Sequence, residues 1–284
     1  MPQQIIDTHI HVWDLSQADY PWLKNDTSIL NRSYSIEELE AERPSTNVTE
    51  GVLVQASGNF EDTDLMLKVA GDKDWIRGVV GWLPLMDPDA TQNALQGKYG
   101  QNTYFKGVRH QIHDESDSQW LLQPAVIESL KILVDNNLPF DLVGILPAHI
   151  ETAFQVAEKV PGLKMVFDHL NQPPISTKET YGRWGELMTV AAKHPNFYAK
   201  ISGLSTASGS FNGRGTDDMK PYVAFVLEHF GTGRCFCGGD WPVSLLAKSY
   251  AATWQDIETI LSSLLTETEL ADVLYNNPKQ FYQL

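Results

Sequence analysis

What most constrains this chain is a rhythm. Short apolar or β-branched runs recur at residues 5–10, 51–55, 76–83, 104–110, 139–145, 163–168, 196–201 and 234–238, eight in all. Between most of them lie stretches with apolar residues at helical spacing: 36–41, 62–71, 88–95, 124–135, 147–159, 184–193 and 219–229. Two further stretches, 254–265 and 267–276, read as closing helices. Continuously apolar strands alternating with helices make a parallel sheet whose outer face is covered. Eight such units in 284 residues fit a (β/α)8 TIM barrel, taken here as one domain over 1–284. A doubly wound sheet is the competing arrangement, but no G-x-G-x-x-G follows the first strand, where a pyrophosphate would need it.

Composition narrows the partners. A chain that is 42% hydrophobic can fill one large core, and no apolar run approaches the ~18 residues that span a bilayer. With 21 basic against 36 acidic residues, a net charge of −15 repels nucleic acid. No basic segment precedes the first apolar run, and the only cysteines, Cys235 and Cys237, would share a strand face and read as free thiols. These features predict a cytoplasmic protein that acts on a small molecule, with assembly into a homo-oligomer left open.

A barrel brings the C-terminal ends of its strands to one mouth. At those ends stand His9 and His11 on the first strand, Arg109-His110-Gln111 on the fourth, Asp168-His169 on the sixth, Lys200 on the seventh and Asp240 after the eighth. His9 and His11 flank Ile10, so a strand period of two turns both imidazoles inward and Ile10 outward. Two imidazoles on one face suit a divalent cation, and His169 and Asp240 are the natural further ligands. By itself an H-x-H at a strand end is common in proteins that bind no metal. Trp82 and Trp13 are candidate walls for a sugar ring, with packing as the alternative. His113 and His149 could reach the mouth, while His194 and His229 sit where helices end and read as structural. Asp141, opening the fifth strand, reads as a stability residue.

The runs Thr8-His9-Ile10-His11, Gly107-Val108-Arg109-His110-Gln111, Val166-Phe167-Asp168-His169-Leu170, Lys200-Ile201-Ser202-Gly203-Leu204 and Gly239-Asp240-Trp241-Pro242-Val243 resemble the amidohydrolase superfamily. More narrowly they resemble its lactonase branch, which includes sugar-acid lactonases of the fuconolactonase and rhamnonolactonase kind. The likeness runs from residue 5 to the closing Asn277-Pro278-Lys279-Gln280-Phe281-Tyr282. It implies that His9, His11, His169 and Asp240 surround any metal, with Asp240 and His169 catalytic. It also implies that Arg109, His110, Gln111, Lys200 and Trp241 line the substrate site.

The chain departs from the family pattern at Asn171 and Gly239, where many members carry glycine and serine respectively. The fourth strand ends without the lysine that bridges two metals elsewhere, which implies one divalent metal, zinc first, or none, the histidines then donating hydrogen bonds. The implied reaction is hydrolytic opening of a lactone, a sugar-acid lactone first of all, with Asp240 activating water. The rivals are a decarboxylase on the same barrel and a non-catalytic sugar-binding barrel.

Overall fold

A computed structural model describes residues 3–177, 180–207 and 215–284. The eight apolar runs become β1 (Ile5–Ile10), β2 (Val48–Val54), β3 (Ile76–Gly81), β4 (Phe105–His110), β5 (Phe140–Leu142), β6 (Met165–Phe167), β7 (Phe197–Ile201) and β8 (Cys235–Cys237). Hydrogen bonds join them side by side in chain order, each neighbouring pair parallel. A bridge between Ile10 and Trp241 brings the last strand back to the first, so the sheet is a nearly closed barrel.

Helices α1 (Ile36–Glu42), α2 (Phe60–Asp72), α3 (Pro88–Gln96), α4 (Pro124–Asp135), α5 (Pro147–Lys159), α6 (Gly182–Ala191), α7 (Leu204–Ala207) and α8 (Thr216–Phe230) lie between the strands. After β8 come α9 (Tyr250–Ser262), α10 (Glu267–Ala271) and α11 (Asn277–Tyr282). Pro88, Pro124 and Pro147 stand in first turns, where a missing N–H removes no intrahelical bond. The side chains of Asn59, Asp87, Ser249 and Thr266 accept backbone N–H groups that their helices leave unpaired. Among the described residues no helix is long and apolar enough to cross a membrane.

The lower barrel is filled by Ile6, Val52, Val54, Val80, Val166 and Phe236, and α11 plugs it from below with Phe281 and Tyr282. The closing segment therefore continues past the expected end at Asn276: a wider π-helical turn over Asp272–Asn276 leads into α11, where Pro278 sits harmlessly in the first turn. β5, β6 and β8 are shorter than their apolar runs, because the residues beyond them form the rim rather than the ladder.

β1 carries the irregularity that matters most. Asp7 faces Gly51 and Ile10 faces Leu53, so three residues of β1 are set against two of β2. This bulge resets the alternation. Ile6 points into the barrel, Asp7 meets Tyr250 and Trp254 of α9 in the helix layer, and His9 and His11 turn inward above Ile6.

Candidate active site

Three donor atoms converge above the hydrophobic plug. His9 Nε2 lies 3.7 Å and His11 Nε2 lies 3.5 Å from Asp240 Oδ1, and among the described residues this is the one group able to share a cation. Ligands about 2.0–2.2 Å from a tetrahedral zinc stand ~3.4 Å apart, so the donor set and its spacing fit a divalent ion. His11 Nδ1 is 2.7 Å from the Val54 carbonyl, which only accepts. That nitrogen therefore carries the proton, and Nε2 turns its lone pair to the site. Burial lowers the pKa of both imidazoles, for His9 well below the ordinary value even against the pull of Asp168. Neutral imidazoles are the form that binds metal. Burial alone would push the Asp240 carboxyl up, but His169, His11 and His9 around it hold it down at about 2.

Beneath His9 lies a buried ionic layer. Lys200 Nζ donates to Asp141 Oδ2 at 2.6 Å, lies 2.7 Å from Asp168 Oδ1 and stands 3.4 Å from His9 Nδ1. Tyr282 Oη, on the plug, donates to the same Asp141 oxygen at 2.7 Å. Lys200, Asp141 and Asp168 are all 0% exposed. Burial raises Asp141 to about 6 despite Lys200, whereas Asp168, resisting the same effect with Lys200, His9 and Arg109 beside it, is held well below its usual value. Arg109 is nearly spent: its Nε and Nη2 donate to Gln55 Oε1 and O, and its Nη1 donates to Asp168 Oδ2 at 3.2 Å and lies 3.3 Å from His9 Nε2.

A cleft of about 330 Å³ opens onto this floor. Of the expected residues, His11, Arg109, Gln111, His169 and Asp240 line it, with His9 just below. His169 stands beside the three-atom group rather than in it, its ring 4.5 Å from that of His9 and its Nδ1 2.9 Å from Ser202 Oγ. Residues His169 to Gln172 pass through the left-handed region at φ of 50–54°. Such backbone costs ~1–2 kcal/mol per residue, and Asn tolerates it better than most, which suits Asn171 to its place in the turn. The Trp184 indole N–H, donating to Leu170 O at 2.7 Å, helps to hold the turn.

Four of the expected substrate contacts, His110, Trp82, Trp241 and Lys200, are not among the residues that line this cleft. His110 neighbours Arg109 on one strand, so with Arg109 inward it must point outward. There it stacks on Trp120, with ring centroids 3.9 Å apart, and meets Glu115 Oε1 at 2.7 Å. Trp82 packs with it, donating to His110 Nδ1 at 3.3 Å. Trp241 is buried against Tyr34, and Lys200 lies wholly under the site. Asp141 sits in mid-strand and faces the ionic layer rather than opening the strand. Trp13 and His113 line the cleft, while the buried His149 accepts the Ile145 and Leu146 N–H groups at the start of α5. Trp22 and Gln172 join the lining and Gln55 steadies Arg109 from behind; no motif marked these three.

Residues 6–284 match the sequence pattern that defines the family described as Amidohydrolase. The chain belongs to the amidohydrolase family. This amidohydrolase is 30% identical over 285 residues to an L-fucono-1,5-lactonase of Burkholderia ambifaria, a match spanning 98% of this chain and 95% of that one. It is 27% identical over 272 residues to an L-fucono-1,5-lactonase of Burkholderia multivorans, covering 93% and 90% of the two chains. A crystal structure of an amidohydrolase from Burkholderia multivorans with zinc bound superposes with a TM-score of 0.91 at 26% identity, over 99% of each chain.

Proposed function

We propose that this amidohydrolase hydrolyses a sugar-acid lactone at a single zinc centre. The observation that carries the reading is the His9, His11 and Asp240 triangle opening directly onto the cleft. The cleft suits a polyhydroxylated ring: Gln111, His113, Gln172 and Thr206 offer polar groups, and Trp13, Trp22, Val143, Ile145, Val243 and Leu246 offer apolar faces for C–H surfaces. Its lining, among the described residues, holds one cation, Arg109, and that guanidinium is already committed to Gln55 and Asp168. A substrate carboxylate would find no bidentate partner there. The lining therefore favours an uncharged lactone.

When bound by His9, His11 and Asp240, a divalent cation supplies Lewis acidity, lowering the pKa of water from 15.7 to about 7. Asp240, ionised throughout the ordinary pH range, accepts the proton as water attacks the ester carbonyl. His169, whose Nδ1 is engaged by Ser202, turns its other nitrogen to substrate, and Arg109 contributes positive potential to the developing oxyanion. Asp240 then returns its proton to the ring oxygen as the acyl–oxygen bond breaks, leaving an aldonate.

The test is proton release at constant pH across a panel of uncharged aldonolactones, lactones bearing an added carboxylate, and aromatic acids monitored for carbon dioxide. Turnover of the first group supports the reading. Carbon dioxide release would establish the decarboxylase instead, and calorimetric binding without turnover would establish the non-catalytic barrel.

A further inference from the structure

The seam between β1 and β8 is the weakest part of the barrel and also the part that carries the three donor atoms. One bridge, Ile10 to Trp241, joins β1 to the segment that follows β8, and the bonds along the seam are few: His11 N–H to Trp241 O at 2.7 Å, which belongs to that bridge, Asp240 N–H to His9 O at 2.8 Å and Thr8 Oγ to Cys237 O at 2.7 Å. Asp7, turned outward by the bulge, closes this seam from behind. Its Oδ1 accepts the backbone N–H of His9 at 2.9 Å from one strand and that of Gly239 at 2.8 Å from the other. Its Oδ2 accepts Tyr250 Oη at 2.8 Å and Trp254 Nε1 at 3.3 Å from α9. The carboxylate is 0% exposed, takes four donors and has no role in the chemistry above.

We infer that Asp7 is the positioning residue of the metal centre, a clasp that fixes His9 and Asp240 at their mutual distance by holding the backbone N–H beside each. Two glycines make the clasp possible. A Cβ on Gly238 would stand 2.5 Å from His9 Cβ, and one on Gly239 would stand 2.6 Å from Asp7 Oδ2. Only bare backbone lets β8 come this close. Asp7 touches neither the cleft nor the three donor atoms, so its effect falls on their spacing and not on substrate contact.

The test is D7N, which keeps the shape but presents an NH2 where two donors must be accepted. Metal-free protein is titrated with Zn²⁺ and Co²⁺ in chelator competition, and the visible spectrum of the Co²⁺ form is recorded. We expect affinity to fall by ~10-fold or more, the range found when outer-shell partners of metal ligands are removed. The Co²⁺ absorption should change in intensity, and on the best lactone kcat should fall with KM within about threefold of the parent, because the cleft lining is unchanged.

Folded D7N with parental affinity and spectrum overturns the inference, even if its melting temperature is lower, since that is all a merely structural residue would do. If D7N does not fold, Y250F/W254F decides on the same readouts, because it removes the two donors that aim the carboxylate. The inference rests on the proposed metal centre, and the parent protein separates the two failures. A parent that binds neither ion refutes the metal and leaves kcat on the lactone to judge Asp7. A parent that binds metal but opens no lactone refutes the substrate and leaves affinity and spectrum to judge it.

Discussion

Lys200→Met is the perturbation that probes the floor of the site most sharply. Methionine preserves the packed stem but deletes an ammonium held 2.6 and 2.7 Å from two carboxylates, with all three residues 0% exposed. Removing one member of a buried ionic group leaves uncompensated charge in a dry place, at a cost of ~3–5 kcal/mol. At about 2 °C per kcal/mol in a chain of this size, the melting temperature should fall by about 6–10 °C. The loss should depend on pH.

Asp141 already has its carboxyl raised to about 6, and loss of Lys200 pushes it higher. A carboxyl whose folded pKa is raised stabilises the fold at low pH, and that contribution disappears as pH rises through the folded value. K200M should therefore be less impaired at pH 5 than at pH 8, and K200M/D141N should recover part of the deficit. Urea unfolding and calorimetry at both pH values measure this. A K200M protein within 1 kcal/mol of the parent at pH 8, or a double variant no better than the single one, would refute the ionic layer as described.

Three further outcomes are expected. Asp240→Asn should lower kcat by ~10²–10⁴-fold in a protein whose circular dichroism is unchanged. Gln111→Ala should raise KM about 2- to 12-fold through one lost hydrogen bond to substrate, whereas Trp82→Phe, which removes a donor to His110 outside the cleft, should leave kcat and KM within about twofold. Asp62, buried under the loop after β2 and raised to about 6 by burial, should cost the fold stability as pH rises from its ordinary carboxylate range to that value, and no more above it. The stability of the parent relative to Asp62→Asn should therefore grow from pH 7 down to pH 4, as read by thermal melts.

Much of this was written in the chain. Parallel strands covered on their outer face are apolar throughout, so eight runs interleaved with helical spacing stated the barrel directly. His9 and His11 were legible because they share a strand face, and Asp240 because it follows the last run. Lys200 shows one limit: sequence tells which side a residue faces better than how deep it lies. Lys200 faces inward, yet it sits a layer below the cleft, in the company of Asp141 and Asp168.

His110 could have been assigned outward from its neighbour Arg109, since adjacent strand residues cannot both point in. Trp82 and Trp241 carried no such signal, because an indole is equally at home in a wall and in a core. The role of Asp7 was hidden for a third reason. A strict period of two places it on the same side as His9, and only the bulge in β1 turns it away to meet α9.

The most direct test is hydrolysis of an uncharged aldonolactone in water enriched in oxygen-18, comparing the parent with D240N. The product carboxylate should carry one heavy oxygen and form faster with the parent than in the uncatalysed reaction, with that acceleration lost in D240N. Lactone consumption at the uncatalysed rate by the parent, or full acceleration by D240N, would contradict it.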